Sequence, residues 1–239
     1  MTNHSICELR IRETWRNPLC EIDFENHALR RFTAMKYRVT RFKSLEVALK
    51  ELEPFIRNGR HLESGRPFKR FGGMLSREAL SNWLLCAVFN LETGTERLTF
   101  TSDPVDGDGI LHDTTTGETW RTEHVMVPKP PDEEPIHVEP LIVAAIEDKQ
   151  GKGGASYASG KTLVVLLNVG GGVQWFPYKV AKGLPATDFA AIWVVGLHAV
   201  ENGQYVYGVS ELDAADGVAH TWLVRIANDF RSWQVHRVQ

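Results

Sequence analysis

The chain has 239 residues with 43% hydrophobic and 24% charged side chains, an ordinary globular composition long enough to bury a sizeable core without staples. No run of eighteen apolar residues exists, "MTNHSICELRIRE" lacks the apolar segment of a secretory leader, and Cys7, Cys20 and Cys86 are few and scattered. These features exclude a spanning helix, a disulfide framework and a zinc site, and lead us to expect a cytoplasmic protein with no membrane partner. The net charge of −3 is unevenly spread: residues 1–82 hold 16 Lys and Arg against 10 Asp and Glu, a net +6, and the remainder carries −9. A basic first third could face a polyanion, but on charge alone a solvated basic surface is the favoured reading.

Residues 1–43 mix short strand-like runs, "ELRIRE" and "LCEIDF", with the basic stretch "LRRFTAMKYRVTRFK". Ser44 can cap a helix, "LEVALKELEPFI", that Pro54 and Gly59 help to end. The Gly- and Arg-rich segment 57–73 reads as a loop. Ser76 then caps a second helix, "REALSNWLLCAVFNLE", with an apolar stripe of Leu80, Leu84, Ala87, Val88 and Leu91. We expect residues 1–75 to form a basic, partly helical region and residues 76–239 an α/β core, the two being one continuous domain if no boundary falls between them.

"RLTFT" is a strand, and it leads into "DGDGILHDTTTGETWRTEHVMV" (106–127), whose five carboxylates lie on a hairpin pattern. Pairing "GILHD" with "ETWRTEHVMV" around the loop "TTTG" places Asp113 opposite Glu118. Carried along the strands, the register places Asp108 opposite Glu123 on a face shared with Ile110 and Arg121. Opposed residues have Cβ atoms about 4.5–5.5 Å apart. Two carboxylates that close need a proton or a cation between them, and Mg²⁺ with its preference for one or two carboxylates is a natural occupant. Asp113 and Glu118 flank the turn. The plain alternative leaves Asp108 in a solvated loop between Gly107 and Gly109.

A Pro-rich acidic loop (128–135) precedes a third helix, "VEPLIVAAIEDKQGK", with Val138, Leu141, Ile142, Ala145 and Ile146 on one stripe that continues to Lys149. "KTLVVLLNV" is a continuous apolar run, as in a strand covered on both faces. "FAAIWVVGL", "QYVYGVSEL" and "TWLVRIA" are further strands, with turns at Asn202-Gly203 and Asp216-Gly217. Trp83, Trp175, Trp193 and Trp222 read as core aromatics. "GGASYASGKT" is not a phosphate-binding P-loop, because its glycine spacing fails and a strand follows where a helix is needed, so Lys161 reads as the opening of that strand. The acidic segment does not fit a calcium-binding EF loop either.

The order helix, strand, Asp, strand, Glu-bearing strand, helix, buried strand resembles the PD-(D/E)XK nuclease superfamily over roughly residues 76–168. The similarity rests on "SREALSNWLLCAV", "SDPVDGDGIL", "TEHVMV" and "IEDKQGKGGASYASGKTLVVLL". The resemblance implies a restriction-endonuclease-like mixed β-sheet flanked by helices. It also implies a phosphodiesterase that uses Mg²⁺ (or Mn²⁺) on DNA, often as a homodimer. Carried over, Asp108 and Glu123 are the metal carboxylates, with Asp103 and Asp106 in reserve, and Glu78 is the helix acid that helps hold a metal. Glu78 equally suits the first turn of a helix by its charge. The family's lysine position, two residues after Glu123, is here Val125. In some relatives that lysine sits on the following helix, which makes Lys149 the candidate and Lys152 the second choice. Lys149 at a fraying helix end is the competing picture. Arg30, Arg31, Arg38, Arg41, Arg66, Lys69 and Arg70 are the candidates for DNA backbone contacts. A degenerate nuclease fold serving as a nucleic-acid-binding or protein-interaction module is the alternative, and an α/β protein with an acidic surface turn is a third.

Overall fold

The computed structural model describes residues 42–63, 67–105, 107–129 and 137–239. The strand-like runs before residue 42, together with Arg30, Arg31, Arg38, Arg41, Arg66 and Asp106, lie outside the described residues.

The first described helix, α1 (Leu45–Arg57), starts where the Ser44 hydroxyl accepts the Val47 N–H at 3.3 Å. Pro54 lies inside this helix rather than ending it, and the end falls at Asn58, whose N–H returns to the Pro54 carbonyl. The segment expected as a loop contains one short turn of helix, α2 (Arg60–Glu63), and a 3₁₀ turn, Lys69–Phe71. Helix α3 (Ser76–Glu92) begins one residue earlier than a Ser76 cap would have it. Its N-cap is Leu75, and Glu78 closes the first turn by accepting the Leu75 N–H at 2.8 Å.

Eight strands form one mixed sheet in chain order: β1 (Leu98–Thr101), β2 (Gly109–Asp113), β3 (Thr119–Val127), β4 (Thr162–Leu167), β5 (Ala191–Glu201), β6 (Gln204–Asp213), β7 (Val218–Ile226) and β8 (Trp233–Arg237). Strands β1 to β3 pair antiparallel, β3, β4 and β5 pair parallel, and β5 to β8 pair antiparallel. The parallel β3–β4 step needs a crossover, supplied by helices α4 (Val138–Gly151) and α5 (Gly154–Ala158). Asn202 and Gly203, at φ 51° and 78°, make the tight turn between β5 and β6 that the Asn-Gly pair suggests. Strand β8 turns Trp233 and Val235 toward the inner core and leaves Gln234, His236 and Arg237 exposed.

The curled sheet has two apolar faces. Its inner face wraps α3, which touches β1, β2, β4, β6, β7 and β8 and is supported by α1. Trp83, Phe89, Trp193 and Trp222 pack there: Trp83 against Trp233 at 5.1 Å and Trp193 stacked on Trp222 at 5.6 Å. The outer face is covered by α4 and α6 (Pro177–Gly183) through Ile142, Ile146, Leu163, Val165 and Val180. Leu45, Leu49 and Leu52 of α1 share the inner core with Leu80 and Trp83, so the described part of the first 75 residues packs as one body with the rest of the chain. Among the described residues no helix is long and apolar enough to cross a membrane.

Candidate active site

The β2–β3 register follows the hairpin reading: Gly109 pairs with Thr122, Ile110 with Arg121, Leu111 with Trp120 and His112 with Thr119. The ladder ends at Gly109, so Asp108 stands one residue beyond β2, and its Oδ2 accepts the backbone N–H of His124 at 2.7 Å. Glu123 sits mid-strand, paired along β4 with Leu163, and points to the outer face that α4 covers. The i, i+4, i+8 spacing of Val138, Ile142 and Ile146 seats α4 on the sheet, and Lys149, one turn on, projects toward both carboxylates.

Lys149 Nζ lies 3.1 Å from Glu123 Oε2 and 3.6 Å from Asp108 Oδ2. Lys161, just before β4, places its Nζ 2.7 Å from Glu123 Oε1. The Tyr157 hydroxyl, from α5, donates to Glu123 Oε2, and its ring lies under Lys161 Nζ at 4.0 Å. Glu123 is thus buried with both oxygens engaged, whereas the Asp108 side chain keeps 30% exposure. The two negative carboxylates are balanced by two ammonium groups, so the repulsion between them is relieved by lysines of the chain itself.

Burial by itself would raise the Asp108 carboxyl, but the nearby His124 imidazole, the His124 backbone N–H and the Lys149 ammonium outweigh it and hold the group at about 2. Burial pulls the Lys149 ammonium down, but the Tyr157 oxygen and the two carboxylates outweigh it, so the amine is held above its ordinary range and stays charged. Burial and the Glu123 carboxylate push the Tyr157 phenol up to about 12, which keeps it a hydrogen-bond donor.

Glu78 approaches from the opposite face of the sheet. Burial raises its carboxyl above the usual range, against the Leu75 N–H, and Asp108 is among the charges it feels. Its first task is therefore closing α3, and one of its oxygens is committed to it. His124 points to the same inner face. Its Nδ1 is 3.8 Å from Asp108 Oδ2, and neither ring nitrogen has a hydrogen-bonding partner in the protein. Asp103 is held by Arg121 Nε at 2.6 Å, and the Val105 N–H donates to its other oxygen, so it is committed away from the pair. Asp113 is buried at the turn and caps it through the Thr115 and Thr116 N–H groups. Lys152 ends α4 exposed to solvent, and Lys69 and Arg70 are exposed on their 3₁₀ turn.

Asp108, Glu123 and Lys149 therefore meet, and Lys161 and Tyr157 join them. Neither addition is legible in the sequence: Lys161 reads as a strand opener, and Tyr157 lies within a segment that fails as a P-loop. The apolar run after Lys161 is a usable signal, because it buries that residue's neighbours and leaves the amine needing a partner.

Asp108 and Glu123 are the two carboxylates that would hold a hard divalent ion of the Mg²⁺ type, although Lys149 stands between them and both Glu123 oxygens are bonded within the chain. Two carboxylates already share one cationic nitrogen, and Asp108 is open to water, which matches an ion that keeps waters and substrate oxygens. Among the described residues no group of three or more His, Cys, Asp or Glu is placed to hold a metal ion, so the two carboxylates would have to share any ion with waters or substrate oxygens. No family model, no curated protein and no solved structure matches this chain.

Proposed function

We propose that the chain is a metal-dependent phosphodiesterase acting on DNA, built as a restriction-endonuclease-like PD-(D/E)XK domain. The observation that carries this reading is the Lys149 ammonium seated between Asp108 and Glu123, at 3.6 and 3.1 Å. It is supported by the layout around them: α3, the antiparallel β1 to β3, the crossover α4, and β4 parallel to β3.

Asp108 and Glu123 are the groups to hold Mg²⁺ or Mn²⁺, which when bound makes a water acidic enough to attack and neutralises charge on the phosphate. Lys149 carries a positive charge on a four-carbon stem beside the same carboxylates, within reach of a water or of a phosphoryl oxygen on which charge develops. Lys161 and Tyr157 orient Glu123 through its two oxygens. The Asp108 carboxylate stays ionised throughout the neutral range, as a metal ligand requires.

Plasmid cleavage in Mg²⁺ or Mn²⁺ tests this. Wild type should nick or linearise the plasmid, and Asp108→Ala, Glu123→Ala and Lys149→Ala should each lose about 10²-fold or more in rate, the usual cost of a group that stabilises the transition state. No cleavage of duplex or single-stranded DNA by wild type, with no detectable metal binding, sinks the reading. A second reading, a degenerate nuclease fold that binds without cutting, is favoured by one observation: both Glu123 oxygens are taken by side chains of the chain itself. Metal and DNA binding without cleavage would select it.

A further inference from the structure

Glu123 is held by two lysines that differ in how firmly each is anchored. Lys161 immediately precedes β4, with its backbone fixed at both ends: its N–H donates to the Ala158 carbonyl at 3.1 Å, and its carbonyl accepts the Ala190 N–H at 2.9 Å. Its amine is bonded to Glu123 Oε1 and lies over the Tyr157 ring, and its side chain is 10% exposed. Lys149 leaves the last turn of α4, two residues before Gly151, on a flexible four-carbon stem. Its amine sits between the two carboxylates, and its side chain is 15% exposed.

We infer that Lys149 occupies the place a divalent ion takes between Asp108 and Glu123, so that metal binding displaces it, while Lys161 is a positioning residue that keeps Glu123 in place when Lys149 leaves. This rests on the metal-dependent reading above. The physical ground is that one site between two carboxylates cannot hold both a divalent ion and an ammonium, whose charges repel at short range. Part of any metal affinity is then spent on breaking the Lys149 ion pairs, and removing the lysine removes that cost.

Mn²⁺ binding to the full chain by isothermal titration calorimetry, in wild type, Lys149→Met and Lys161→Met, provides the test. Each substitution removes one positive charge from the same cluster, so a general field effect tightens binding equally in both. Competition for the site predicts that Lys149→Met binds about tenfold tighter than wild type, whereas Lys161→Met shows much less gain or a loss as Glu123 drifts. Equal gains in the two variants, or weaker binding by Lys149→Met, overturn the inference while leaving the metal site standing. Absence of Mn²⁺ binding in all three proteins overturns the inference and the metal-dependent reading together.

A measurement on wild type alone guards against a folding defect in Lys161→Met. Limited acetylation followed by peptide mass spectrometry should show Lys149 protected without metal and several-fold more reactive with saturating Mg²⁺, with Lys161 protected in both conditions. Unchanged Lys149 protection under conditions where calorimetry shows the ion bound contradicts displacement.

Discussion

Asp113 and Glu118 flank the same hairpin turn, yet only one of them carries stability. Asp113 is 1% exposed, accepts the Thr115 and Thr116 N–H groups at 2.8 and 3.1 Å, and faces Arg97 Nε at 3.2 Å. Replacing it by Ala leaves those donors and a largely buried guanidinium without their acceptor, a cost of about 1–3 kcal/mol. Glu118 is exposed, and its loss should stay within about 0.5 kcal/mol. Urea unfolding of Asp113→Ala and Glu118→Ala measures both, and equal midpoints would refute this division. Strand parity alone separates Asp108 and Glu123 from these turn carboxylates, because side chains in a strand repeat every two residues and a hairpin loop fixes the register. Parity is silent on side chains that approach from another element. Lys161 and Tyr157 reach Glu123 across the β3–β4 crossover, and His124 meets Asp108 only because the chain leaves the ladder at Gly109.

At the scale of elements, hydrophobic periodicity marks helices α1, α3 and α4 and strands β1 to β7, and it fails where tertiary structure overrides pattern. Helix α3 reads as amphipathic, with Leu84 and Leu91 on one stripe, but the curled sheet surrounds it and buries nearly every position from Ser76 to Asn90, polar ones included. Leu91, in the last turn of the helix, is left 45% exposed. Leu84→Ala should therefore cost about 2–5 kcal/mol and Leu91→Ala less than about 0.5 kcal/mol, although both occupy the same sequence stripe. Chemical denaturation of the two variants decides it: similar losses would mean that the stripe, and not the enclosing sheet, sets the core. Strand β8 escapes notice for a different reason. "WQVHR" does alternate, with Trp233 and Val235 toward the core, but five residues with two apolar positions are too short a run to stand out.

At the scale of the whole molecule, several of the described cations in the basic first third already have partners within the fold. Lys43 is paired with Glu51, and Lys50 and Arg57 share Glu53, so these charges are largely balanced within the fold. Lys69 and Arg70 differ: they are exposed on a 3₁₀ turn tied to the end of the sheet that carries the candidate site. The ties are close. A side chain at Gly72 would meet Ser102, and one at Gly109, next to Asp108, would meet Met74. Under the proposed DNA-binding reading, these two exposed cations are the described candidates for contacts to the phosphate backbone. Each phosphate neutralised releases counterions and contributes about −0.9 to the slope of log affinity against log salt. The double substitution of Lys69 and Arg70 by Ala should therefore flatten that slope by about two and weaken binding about equally for unrelated sequences. Lys50→Ala, already balanced by Glu53, should leave the slope unchanged. Fluorescence anisotropy with a labelled duplex across a salt series reads both, and an unaltered slope in the double variant would place the DNA contact elsewhere on the chain.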